Sequence, residues 1–162
     1  MRNYMIDALA EAKKAYSCGE IPIGAVIEKD GKIVGRGYNL TETLKDPTAH
    51  AELIAIREAA KTLGGWRLLQ CNLYVTCEPC AMCAGAIVWS RMKKVFIGTM
   101  DPKGGACGSV FNILQEEKLN HYVEIETGLM ETECSDLLKD FFRDLRQRGF
   151  KWDKMKNPGL TK

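Results

Sequence analysis

Two short stretches carry side chains able to do chemistry. One, Cys77-Glu78-Pro79-Cys80-Ala81-Met82-Cys83, sets three thiols at successive intervals of three; the other, Thr48-Ala49-His50-Ala51-Glu52, lies thirty residues upstream. Pro79 suits the first position of a helix, which would put Cys80 and Cys83 one turn apart on one face. Their sulfurs would then lie near the positive end of the helix dipole, where the thiolate, the form that binds metal, is favoured. The pair suits Zn²⁺. Cys77 belongs to the strand side of the turn and would have to fold back to share the metal. The same spacing opens a bacterial ferredoxin run, but that run needs a further Cys-Pro where this chain has Ile87 and Val88. A bare CxxC also occurs in thioredoxin-like redox pairs and is weak by itself.

The upstream stretch separates these readings. At about 100° per residue, Glu52 is turned about 200° from His50 around a helix axis, so the two cannot bind one ion in the same way. The spacing fits a division of labour in which His50 ligates and Glu52 carries protons. A non-catalytic zinc module closed by Cys77 as fourth ligand is the alternative of a different class; a structural site has no use for a proton carrier.

The elements that must position these residues follow from periodicity. Ile6, Leu9, Ala12 and Tyr16 form the stripe of an amphipathic helix over residues 3–16, stopped near Gly19. IGAVIEKDGKIVGRGYN reads as a hairpin around Lys-Asp-Gly. After a polar stretch at 39–47, Thr48 is placed to cap a helix that runs through Leu63 to Gly64-Gly65. NLYVTC is a third strand, the helix opened by Pro79 runs to Trp89, and KKVFIG is a fourth strand. A Gly-rich segment leads to a short helical stretch at about 109–117, YVEIE makes a fifth strand, and a last helix from about 131 carries Leu137, Leu138, Phe141, Phe142 and Leu145 on one stripe. This order predicts a single-domain α/β fold, a three-layer α/β/α sandwich around a five-stranded mixed sheet.

With 162 residues the chain can bury a core without disulfide staples. Seven cysteines, an odd number with no export signal, favour reduced thiols or metal ligands. No apolar run is long enough for a membrane span, so the expectation is a cytoplasmic protein without membrane contact. The net charge of +2 divides unevenly. Residues 139–162 hold eight basic against three acidic side chains, and residues 1–138 hold 15 against 18. The basic end could meet a polyanion.

Taken together, IPIGAVI, GYN, DPTAHAE, LYVT and EPCAMCAGAI, DPKGGACGS, Asn120-His121 and Phe141-Phe142 make residues 3 to about 148 resemble the bacterial tRNA-specific adenosine deaminases. The signature H-x-E…P-C-x-x-C is that of the zinc deaminases generally. The resemblance implies a cytidine deaminase-like fold over 1–150 with a basic tail at 151–162. It also implies one Zn²⁺ on His50, Cys80 and Cys83 with a fourth position left for water, and Glu52 as general acid and base. It implies hydrolytic conversion of adenosine to inosine at the wobble position of a tRNA anticodon stem-loop, and a homodimer. Asn39 resembles a residue that hydrogen-bonds the flipped nucleotide, Asp101 resembles one that contacts the substrate sugar and backbone, and His121 and Phe142 resemble the anticodon-loop surface. Leu40 and Tyr122 stand where some relatives carry Arg, which would shift phosphate binding toward Arg143, Arg146 and the tail. A guanine or other free-base deaminase shares the zinc motifs and is the runner-up; Trp89 in AIVWSR gives it some footing.

Overall fold

A computed structural model describes residues 2–148; the expected tail at 151–162 lies outside them. Helix α1 (Met5–Ser17) precedes strands β1 (Gly24–Lys29) and β2 (Lys32–Tyr38), followed by the short α2 (Thr41–Leu44) and α3 (Ala51–Leu63). Strand β3 (Asn72–Cys77), α4 (Ala81–Trp89), β4 (Lys94–Thr99), β5 (Glu124–Thr127) and α5 (Glu131–Gln147) complete the order. The five strands form one mixed sheet in the order β2-β1-β3-β4-β5, antiparallel from β2 to β3 and parallel from β3 to β5. Asp30 and Gly31, both at positive φ, make the two-residue turn of the β1–β2 hairpin.

Alternation along the strands sends Ala25, Ile27, Leu73, Val75, Val95 and Ile97 to one face, where α3 and α4 cover them. Val26, Tyr74 and Phe96 point to the other, beneath α1 and α5. The expected sandwich is therefore present. Glycines allow the closest approaches. A Cβ on Gly24 would overlap the α1 backbone at Ala8 and Ala12, and one on Gly37 would overlap the start of α3 at Ala51.

Several expectations need correction. The α1 core face runs through Met5, Ala8, Leu9, Ala12 and Ala15, while Ile6 is 59% exposed. The small residues Ala8 and Ala12 face Gly24, and that contact sets the rotation of the helix. Thr48 does not cap α3. Its hydroxyl donates to Asp46 Oδ1 at 2.7 Å, and the N-cap position falls to His50. Pro79 likewise lies before α4, whose N-cap is Cys80. No helix forms at 109–117. That segment turns back on itself through a Cys107–Asn112 bridge, and its backbone groups bond outside a helical pattern, Val110 and Phe111 to the Gly105 carbonyl, Ile113 to that of Ala106, and the Leu114 carbonyl to the Val123 amide.

Candidate active site

Both helix starts on the α3–α4 face point at one place. His50 and Cys80 hold extended backbone conformations at the two N-caps, and Cys83 follows in the first turn of α4. The His50 Nδ1 lies 3.7 Å from Cys80 Sγ and 3.5 Å from Cys83 Sγ, and all three ligand atoms fall within 4.8 Å of one another. For a tetrahedral ion with Zn–N near 2.05 Å and Zn–S near 2.3 Å, the nitrogen–sulfur edge is about 3.6 Å. The observed spacings match that edge, so the donor set fits zinc in type and geometry. Cys77 is not in the group, and its buried thiol is pushed up to about 12 by desolvation.

The two ligand sulfurs differ. A hydrogen bond from Cys83 holds the Cys80 thiol down at about 4, and the same contact, with burial, pushes Cys83 up. The Cys80 sulfur in turn raises His50 above the ordinary imidazole value. Glu52, in the first turn of α3, is 3% exposed and in hydrogen-bond contact with Cys83. Burial pushes its carboxyl above the usual range, which makes it a stronger base than a carboxylate in water.

His50, Glu52 and Cys80 form part of the wall of a cavity of about 170 Å³, together with Ile21, Ile23, Asn39, Thr41, Cys77, Glu78 and Asp101. Asn39 is buried and braced between Ile21 and Thr41: its Nδ2 donates to the Ile21 carbonyl, and its Oδ1 accepts the Thr41 amide. Asp101 turns Oδ1 onto the Lys103 and Gly104 amides at 3.0 and 3.2 Å. The remaining sequence candidates lie elsewhere. His121 donates through Nε2 to the Met92 carbonyl at 2.6 Å. Phe142 and Arg146 line a groove beside Thr99, Met100 and Leu138, and Arg143 pairs with Asp140 at 2.9 Å on the exposed face of α5.

Two buried glutamates escaped the sequence reading. Glu78 accepts the Asp101, Cys107 and Ser109 amides at 2.8, 3.1 and 3.0 Å and the Ser109 hydroxyl at 2.5 Å. Glu20 accepts the Glu42 and Thr43 amides and the Thr43 hydroxyl at the start of α2. Thr41, beside it, lines the cavity. The only signal was the presence of acidic residues in otherwise apolar surroundings.

Residues 1–99 match the cytidine and deoxycytidylate deaminase zinc-binding region. A tRNA-specific adenosine deaminase of Bacillus subtilis is 53% identical over 145 residues, covering 90% of each chain. The chain belongs to the tRNA-specific adenosine deaminase family. A solved structure from work on A-to-I editing by tRNA:A34 deaminases at the wobble position of transfer RNA is 42% identical, with a TM-score of 0.80 over 84% of this chain and 99% of that one. Guanine deaminase of Bacillus subtilis is 47% identical but matches only 62% of this chain and 66% of its own, with a TM-score of 0.59. As a family member this chain is a hydrolytic, zinc-binding deaminase, and the cluster of one histidine and two cysteines is its candidate zinc site.

Proposed function

We propose that this protein converts adenosine to inosine at the wobble position of a tRNA anticodon loop, consuming water and releasing ammonia. The observation that carries this reading is Glu52, a buried carboxylate beside a three-ligand zinc cluster on the wall of a cavity. His50, Cys80 and Cys83 would hold the ion, which when bound supplies Lewis-acid activation of water near neutral pH. Glu52 takes a proton from the attacking water, hands it to the purine ring nitrogen, and then helps the amino group depart as ammonia. Its burial keeps that proton from bulk water. Asn39 and Asp101, which line the cavity, would fix the flipped nucleotide, while Phe142, Arg143 and Arg146 would supply stacking and phosphate contacts further out. A base in a single-stranded loop enters such a cavity without the cost of opening a duplex.

The α4 surface supports a homodimer. Cys83, Ala84, Ile87 and Val88 face the core, and Met82, Gly85, Ala86 and Trp89 make a second apolar stripe outward, with Trp89 68% exposed. A helix that is apolar all round is normally covered on all sides, and Gly85, where an added Cβ would meet nothing within 4 Å, allows a close partner. A second copy of the chain meeting this stripe would bury both. Trp89→Glu should then halve the mass seen by sedimentation. A tRNA substrate is consistent with work in the cytoplasm, and among the described residues no helix is long and apolar enough to cross a membrane.

The deciding experiment is incubation of the zinc-loaded protein with unmodified tRNA transcripts, with sequencing for A-to-I conversion, alongside guanine as a free-base substrate. Conversion confined to the anticodon wobble position supports the proposal. Release of ammonia from guanine without tRNA editing would install the free-base reading that the guanine deaminase likeness favours.

A further inference from the structure

We propose that Glu78 is a positioning residue, whose carboxylate fixes the 101–109 loop and so holds Asp101 on the wall of the cavity. The inference rests on the adenosine reading for its kinetic consequence and on geometry for the rest. Glu78 is 4% exposed, and no Lys or Arg pairs with it among the described residues. An unpaired buried carboxylate is costly, and an apolar residue would fill the same space without that cost. What offsets the cost is the set of four donors, all from one loop. Oε2 accepts the Asp101 amide and the Ser109 hydroxyl, and Oε1 accepts the Cys107 and Ser109 amides.

The loop closes on the carboxylate tightly. A Cβ on Gly105 would overlap the Glu78 carboxyl group, so glycine at this position lets the backbone reach it. The Ala106 amide also donates to the Pro79 carbonyl at 2.9 Å, which ties the loop to the residue next to the first cysteine ligand. The same carboxylate therefore sets where Asp101 stands relative to the metal cluster. Glu78 is not in the three-ligand group, so its expected effect is on substrate seating.

The test uses the zinc-loaded full chain. Glu78→Gln puts an amide NH₂ where one oxygen stood, so at least one loop amide loses its acceptor. KM for an anticodon stem-loop should rise about ten- to a hundredfold, the size of losing one hydrogen bond to a charged group, while kcat moves by less than about threefold. Zinc should stay at one per chain, and amide exchange at Asp101, Cys107 and Ser109 should quicken. Gly105→Ala, which displaces the carboxyl without touching its charge, should reproduce both effects. Ser109→Ala, which removes a single hydroxyl and should fold readily, should give a smaller KM rise in the same direction. Unchanged exchange in the loop overturns the proposal. Loss of zinc with a matching fall in kcat also overturns it, because it would make Glu78 a support of the metal site. If the wild-type chain leaves the stem-loop unedited, the adenosine reading fails, while faster loop exchange in Glu78→Gln still assigns the loop to this carboxylate.

Discussion

Gly37→Ala tests whether close packing of β2 on α3 sets the position of the catalytic helix start. The added methyl would overlap the Ala51 carbonyl oxygen and crowd Ala55 N and Ile54 Cβ. Two of those three atoms are backbone, so no rotamer change relieves the overlap. Forcing a methyl into a close-packed site costs about 1–3 kcal/mol, which for a chain of this size lowers Tm by roughly 2–12 °C. Ala51 lies between His50 and Glu52, so a helix that yields carries both with it. A displacement of about 1 Å at a reacting group costs about a hundredfold in rate. The assay is thermal unfolding of the zinc-loaded protein together with single-turnover deamination at saturating RNA and zinc. Gly65→Ala is the control, since nothing lies within 4 Å of its Cβ position, and it should leave both readouts near wild type. A lowered Tm with an unchanged rate would refute the reasoning, because it would mean that the edge strand gives way and the helix start does not depend on it.

Glu52→Gln should keep the zinc and the fold and lose about 10² to 10⁴ in rate, because the amide is nearly isosteric and cannot carry a proton; single-turnover kinetics with metal analysis would check it. Cys83→Ser should lose the metal, whereas Cys77→Ser should retain one zinc per chain, measured after dialysis. The same Cys77 thiol, pushed up to about 12, should stay protonated and slow to alkylate at pH 8, becoming reactive only as the pH nears that value; mass spectrometry of the labelled chain reads this directly. Replacing Arg143 and Arg146 by Gln should weaken tRNA binding and flatten its salt dependence by roughly 0.7 per lost phosphate contact, with the single-turnover rate at saturation unchanged.

The metal cluster was legible because its chemistry sits in residue types, and a histidine and two cysteines at helix starts are few enough to stand out. The hairpin was legible for a similar reason, as Asp30-Gly31 supplies the positive φ values that a two-residue turn demands. What stayed hidden is what depends on partners far along the chain. The α2 turn forms where the sequence offered only a polar stretch, because Glu20, 22 residues before Glu42, accepts its first amides. The 109–117 stretch has helical composition, yet its backbone groups find partners at Gly105, Ala106 and Val123, and Phe111 is left 59% exposed. Glu78 could not be assigned for the same reason. Its donors are backbone amides 23 to 31 residues downstream, and a backbone amide leaves no mark in the residue type. The periodic stripe of α1 was found but rotated, since small residues facing Gly24 outweigh the larger Ile6 when two backbones meet closely.

The three ligand atoms come from two helices, His50 at the head of α3 and Cys83 inside α4, 33 positions apart along the chain. A bound ion is therefore a cross-link as well as a cofactor. It ties two successive strand–helix units into a closed loop, and in the chain-entropy description a loop of that length is worth about 3–4 kcal/mol against the unfolded chain. Chelation would then do more than silence the enzyme. It would open the loop, and the helix start bearing Glu52 would lose its covalent-like tether in the same event, so that catalytic competence and resistance to unfolding rise and fall with a single ion.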